Sequence, residues 1–242
     1  MRAAFFSDIH GNLPALEAAL AEAERRDAEV VAAAGDLVGG GPSPEQVVQL
    51  LRECGIAAVR GNVDRKVVRL AKRDADGKKQ PGSGKRSNYL WTSRQLSRRS
   101  LRWLRSLPEE ETLVLGGAEV QVVHGSPLGD SDYVYPSITP AGLAAKLGER
   151  RPAVLVCGHS HVPFVRRLGG VLVVNCGSVG RPVDGDPRGA FAVLEVDGSQ
   201  RLRASIVRFE FPVDAVVGEI ERLGVPGTVA EEYRRGVKHS GA

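Results

Sequence analysis

No stretch of this 242-residue chain stays apolar for the roughly 20 residues that a bilayer-crossing helix needs, so no membrane partner is expected. The opening run, Met1 to Gly11 (MRAAFFSDIHG), lacks the apolar centre and small-residue cleavage site of a secretory signal. Cytoplasmic residence is the resulting expectation. Cysteine is scarce. Cys54, Cys157 and Cys176 are odd in number, far apart and never in a CxxC pair. That argues against structural disulfides and against a thiolate zinc site. Cys157 and Cys176 lie in or beside apolar runs, where buried, unreactive thiols are expected. Internal repeats of useful length are also missing.

What is present is ordinary in bulk and uneven in distribution. Apolar and charged fractions of 42% and 26% fit a globular protein with a sizeable core. The net charge is only +4, yet Arg65 to Arg105 holds 14 Lys or Arg against Asp74 and Asp76, about +12. The rest of the chain is therefore acidic. A basic region attracts polyanions, nucleic acid included, and serves equally as a solvated helical face.

The first third alternates strand and helix. Arg2–Ser7, Glu29–Ala34 and Ile56–Val59 read as strands; Leu13–Arg26 and Pro44–Cys54 read as helices, the second with Ser43 as N-cap. This order predicts a parallel sheet with right-handed crossovers. Lys72–Ser87 is polar and aperiodic, a loop. Asn88–Leu107 reads as one or two amphipathic helices with a basic face. Strands return at Glu119–Val123, Ala153–Cys157, Val171–Asn175, Ala190–Val196 and Arg203–Phe211, in an antiparallel, meander-like arrangement. Asp214–Tyr233 reads as helix, and the Arg234–Ala242 tail is expected to fray.

The informative feature is what stands at the strand ends. They carry Asp8-Ile9-His10, Gly35-Asp36, Gly61-Asn62-Val63-Asp64, His124-Gly125 and Gly158-His159-Ser160-His161. In open α/β sheets the carboxyl edge is where ligands bind, and neighbouring glycines let backbone approach closely. Two Asp, four His and one Asn make a nitrogen and oxygen donor set without thiolate. Such a set suits divalent Mn, Fe, Co, Ni or Zn. Seven donors exceed one ion's needs but suit two ions sharing a carboxylate. Two divalent ions, two aspartates and one hydroxide sum to about +1, a charge that draws a phosphate ester.

Taken together, these residues resemble the calcineurin-like metallophosphoesterase superfamily, whose pattern is D-x-H, G-D, G-N-H-[D/E], H and G-H-x-H. The likeness runs from Met1 to about Val196 and includes Asn175-Cys176-Gly177-Ser178, similar to a stretch of small prokaryotic members. It implies a four-layer α/β/β/α sandwich of two mixed sheets flanked by helices. The whole chain would form one domain, with a basic helical excursion at about 65–107. The resemblance also implies that one metal takes Asp8, His10, Asp36 and His161, and a second takes Asp36, Asn62, His124 and His159. A metal-bridging hydroxide would then attack a phosphomono- or phosphodiester of a small substrate, a nucleotide or another phosphoester.

Val63 departs from the pattern, standing where the family has His. That His protonates the leaving group or stabilises the transition state, which valine cannot do. Slower turnover is expected, since general acid help contributes about 10²–10⁴-fold. Two other readings follow: a nuclease using the basic segment, or a metal-binding module with little turnover. Asp64 and Arg181 are the further catalytic candidates. Arg60 is a weaker phosphate clamp, and Tyr133, Tyr135 and Trp91 could stack on a ring.

Overall fold

The computed structural model describes residues 1–74, 84–228 and 230–237. Most of the Lys72–Ser87 loop and the end of the tail lie outside these residues.

The chain begins with β1 (Arg2–Phe6), α1 (Leu13–Arg25), β2 (Val30–Ala33), α2 (Pro44–Glu53) and β3 (Ala57–Ala58). The three strands pair in parallel, as the alternating order predicts. Three helices follow: α3 (Asn62–Arg73), α4 (Gly84–Gln95) and α5 (Arg98–Ser106). Gly84–Ser87, expected in the loop, already belongs to α4. The second half comprises β4 (Glu110–Leu115), β5 (Ala118–Val123), α6 (Pro140–Leu147), β6 (Val154–Cys157), β7 (Phe164–Leu168), β8 (Val171–Asn175), β9 (Gly189–Val196), β10 (Leu202–Phe209), α7 (Val213–Leu223) and α8 (Ala230–Arg235).

One sheet runs β10-β9-β1-β2-β3 and the other β4-β5-β6-β8-β7, both mixed. The meander expectation is thus only partly met, because β5, β6 and β8 are parallel. The antiparallel pairs are the hairpins β4–β5, β7–β8 and β9–β10 and the long-range pair β1–β9.

Alternation of side chains explains the layering. In β1, Ala3 and Phe5 face the other sheet, while Ala4 and Phe6 face α1, α2 and α7. In β6, Val154 and Val156 join the inter-sheet core, and Leu155 and Cys157 turn to α6. Strands buried on both faces read as unbroken apolar runs. The result is the α/β/β/α sandwich. The expected Asp214–Tyr233 helix is broken in two, because Gly224 adopts a left-handed φ of 59° and ends α7 before Pro226. Ser43 occupies the N-cap of α2, but its hydroxyl makes no capping bond.

Candidate metal centre

Five parallel strands, three from one sheet and two from the other, deliver the candidate residues from their C-terminal ends. The tips are stitched to one another: the Asp8 N–H donates to Gly35 O (3.0 Å) and the His10 N–H to Asp36 O (2.9 Å). Gly61 and Gly158 make this approach feasible. A Cβ on Gly61 would lie 2.1 Å from the Asp36 nitrogen, and one on Gly158 would lie 1.8 Å from Ser7 Oγ. Asp8, His10, Asp36, His159 and His161 all have φ between 52° and 62°. Left-handed backbone at a non-glycine residue costs about 1–3 kcal/mol each, and persists where surrounding structure enforces it. Only Asp27 and Gln200 share it among the other described non-glycine residues.

Each aspartate has one oxygen tied to the protein and one aimed inward. Asp8 Oδ2 accepts from Ser7 Oγ (2.7 Å) and the His159 N–H (2.8 Å), whereas Oδ1 is buried and faces His161 Nε2 at 3.1 Å. Asp36 Oδ1 accepts from the Val63 N–H (2.8 Å), and Oδ2 lies 3.3 Å from His124 Nε2 and 3.9 Å from His10 Nε2. Three imidazoles are oriented by backbone carbonyls at Nδ1: His10 by Gly39 (2.7 Å), His124 by Ala34 (2.7 Å) and His161 by Arg181 (2.5 Å). A carbonyl accepts only, so a proton resides on each Nδ1, and in the neutral, cation-binding form of each ring the Nε2 lone pair points inward.

Asp8, His10 and His161 thereby form one cluster, and Asp36, His124 and His159 another, with ligand atoms within 4.8 Å inside each. His10 Nε2 and His161 Nε2 stand 3.2 Å apart as two acceptors facing each other. Asn62 Oδ1, His124 Nε2 and His159 Nε2 are buried and unpaired. So many inward carboxylate and imidazole atoms facing chiefly one another is the arrangement that cations relieve. The donor set fits divalent metal.

The electrostatics are strongly coupled. Burial and the neighbouring His161 push His10 down to about 4. Burial also opposes the charge on His124, but Asp36 and Asp8 outweigh it and lift the ring to about 10. Burial disfavours the Asp8 carboxylate, yet His161, His124 and His10 hold it well below the usual carboxylate range.

Asp64 lies on the first turn of α3 and is fully buried. Its Oδ1 accepts from the Leu37 and Val38 N–H groups (3.0 and 3.1 Å), and its Oδ2 from that of Gly61 (2.9 Å). Burial and nearby Asp36 raise it to about 7. It fixes the loops carrying Asp36 and Asn62 rather than facing the cavity. The Val63 side chain packs on Gly39, whose carbonyl orients His10. Arg181 stands beside His10, its guanidinium paired with Glu232 of α8 and its Nε buried without a partner.

Arg60 is drawn away from the cavity to Glu109 (2.6 Å), and Trp91 packs on the helical core. Cys157 and Cys176 are buried, and burial lifts the Cys157 thiol to about 12. Sequence reasoning missed Glu232, and it took Asn175 and Ser178 only as part of a family-like stretch. Ser178 Oγ donates to Asp8 O (2.7 Å) and accepts from the Arg181 N–H (2.8 Å), while Asn175 Nδ2 donates to Gly158 O (2.8 Å). The Asn175–Ser178 stretch was visible; its bracing role between two ligand loops was not.

Residues 1–199 match the family described as the calcineurin-like phosphoesterase superfamily domain. The chain is 28% identical to an uncharacterised protein of Methanocaldococcus jannaschii, over 94% of this chain and 95% of that one. It is also 28% identical to the Escherichia coli phosphodiesterase YfcE, over 81% of this chain and 89% of the enzyme. Among solved structures, a metallophosphoesterase from Sphaerobacter thermophilus superposes with a TM-score of 0.78 at 28% identity, covering 98% of this chain and 99% of that one. No described helix is long and apolar enough to cross a membrane. The family match spans the strand tips that carry both clusters, and this chain belongs to the calcineurin-like phosphoesterase superfamily.

Proposed function

We propose that the protein hydrolyses phosphomono- or phosphodiester bonds of a small substrate with two divalent transition-metal ions, manganese foremost. The observation that carries this reading is the convergence of inward-facing Nε2 and carboxylate oxygen atoms in two adjoining clusters. Asp8, His10, Asp36 and His161 would hold one ion, and Asp36, Asn62, His124 and His159 the other. Asp36 Oδ2 is within reach of both imidazole sets, which supports a bridging role. Bound there, such ions supply Lewis acidity at phosphoryl oxygens and lower the pKa of water.

The protein's own groups divide the remaining work. Arg181, held by Glu232, presents positive charge beside His10 and binds a phosphoryl oxygen. Asp64 positions the Asp36 and Asn62 loops through three backbone N–H groups. Val63 donates no proton, so esters whose leaving group is already a stable anion are favoured. Three free cysteines and the absence of a disulfide support a cytoplasmic setting.

The test is steady-state hydrolysis of p-nitrophenyl phosphate and bis-p-nitrophenyl phosphate with Mn²⁺, Co²⁺, Ni²⁺ and Zn²⁺. Turnover is expected with at least one ion, abolition by chelator, and a loss of roughly 10³-fold or more in Asp36→Asn. Failure of wild type to cleave either ester with any of these ions would end the proposal.

A further inference from the structure

Six large apolar or aromatic side chains are conspicuously exposed among the described residues, and three of them, Leu128, Tyr133 and Tyr135, share the loop between β5 and α6. This clustering is not scattered surface apolarity, which needs no explanation. Tyr133 stacks on Tyr135 with ring centroids 5.1 Å apart and planes 9° from parallel. On its other contact Tyr133 stacks on His159, centroids 4.2 Å apart and planes at 30°. A ladder of rings therefore runs from the surface to one of the clustered imidazoles.

The loop presenting the ladder is firmly built. Arg65 of α3 grips Asp130 with two hydrogen bonds (2.5 and 2.8 Å). Asp132 accepts from both Ser126 and Lys146. Between the two tyrosines Val134 is fully buried, and its carbonyl accepts from Asn175 Nδ2 (3.3 Å). Alternation along extended backbone thus buries the middle residue and turns both rings outward. Tyr133 and Tyr135 remain 40% and 46% exposed, so a wide aromatic surface is held ready at the rim. Pre-ordering of this kind lowers the entropy lost on binding.

We infer that Tyr133 and Tyr135 form a base-stacking platform, and that the substrate is a nucleoside phosphate whose base lies on these rings while its phosphate reaches the metal centre. This inference rests on the phosphoesterase reading of the same site. Two features favour a nucleobase over a plain hydrocarbon ring. Both platform residues carry phenolic hydroxyls, which suit the polar edges of a heterocycle. The ladder also begins at His159, one of the second cluster's residues, so a heterocycle on these rings lies at the rim of the same site that takes its phosphate.

The test compares AMP with ribose 5-phosphate, which keeps the sugar and phosphate but lacks the base. Both are titrated calorimetrically into Mn²⁺-saturated protein and used as competitors of bis-p-nitrophenyl phosphate hydrolysis. AMP is expected to bind about tenfold tighter or more, the scale of base–aromatic stacking. The preference should disappear in Tyr133→Ala/Tyr135→Ala and fall only in part in the double Phe variant, which keeps both rings but loses the phenolic hydroxyls. Phenyl phosphate against methyl phosphate is the control arm. Equal binding of AMP and ribose 5-phosphate overturns the inference, as does a preference that survives removal of both rings. If phenyl phosphate gains as much as AMP, the nucleobase assignment is overturned in favour of aryl esters. Calorimetry reads the platform even without turnover, so failure of the enzymatic reading and failure of the platform are separable.

Discussion

The strand-tip rim and the helices α3–α5 treat charge in opposite ways. The rim buries two carboxylates and two imidazoles, half-buries two more, and holds five of these six residues in left-handed backbone. The helices are densely basic, yet Arg69, Arg98, Arg99, Arg102 and Arg105 lie exposed, and Arg65 and Arg94 pair with Asp130 and Asp74. Buried polar atoms without partners are costly and persist only where a ligand or function offsets them. Exposed charge costs little and carries correspondingly little functional information. The quieter region, with fewer charges, is therefore the one that identifies the chemistry.

Asp64 joins the two regions, and removing it should produce the largest effect on folding. Asp64→Ala leaves three buried N–H groups, of Leu37, Val38 and Gly61, without an acceptor. At about 1 kcal/mol or more for each orphaned donor, a loss of roughly 3 kcal/mol is expected in urea unfolding. Asp64→Asn keeps an oxygen for Leu37 and Val38 and should lose less. Equal stability of the Ala variant and wild type would show that the rim does not depend on this brace.

Val63→His asks whether the rim is complete. The valine leaves no proton donor at the position where the resemblance implies one, so histidine is expected to raise kcat by about tenfold for an ester with an alkoxide leaving group and little for p-nitrophenyl phosphate. That lies below the usual 10²–10⁴-fold for general acid catalysis, because the new ring must share space with Gly39. A bell-shaped pH profile absent from wild type would mark the new acid. Unchanged or reduced kcat for the alkoxide ester would mean that the protein already supplies the function by another group.

How much of this was legible depends on how local each determinant is. The rim was readable because chemistry and backbone freedom coincide in short words: Asp8-x-His10, Gly35-Asp36, Gly61-Asn62 and Gly158-His159-x-His161. The βαβ start followed from periodicity alone. Three elements escaped: β4, β7 and α6. Two of them had a signal, since Gly116-Gly117 and Gly169-Gly170 both take positive φ and close the hairpins β4–β5 and β7–β8. Strand β4 alternates Glu111 and Leu113 with exposed residues, which reads as weak amphipathy rather than as a sheet edge. The pairing of Arg181 with Glu232 spans 51 residues, and the stacking of Tyr133 on His159 joins two loops. Neither has a local word. Contacts of this kind are set by tertiary packing, which no window along the chain contains.

The smallest expected effect belongs to the basic helices and decides between a small-ester enzyme and one that grips nucleic acid. In α5, Leu104 turns to the core while Arg98, Arg99 and Arg102 are exposed on successive turns, with like charges at Arg98/Arg102 and Arg99/Arg102. Such pairs repel by about 0.2–0.5 kcal/mol each, so Arg98→Gln/Arg99→Gln/Arg102→Gln should leave stability unchanged or slightly raised. Hydrolysis of bis-p-nitrophenyl phosphate should stay within about twofold, because these charges are exposed and screened over roughly 8–10 Å of saline. RNA binding by wild type offers the opposing outcome. If arginines of α5 contact phosphates, binding must weaken steeply with salt, and the triple variant must flatten that slope by about 0.7 per lost contact on a single strand. A flattened slope together with a drop in RNA cleavage would move the functional boundary from the rim to the helices. An unchanged slope leaves the arginines as the solvated face of a helix whose inner side packs against α2 and α3.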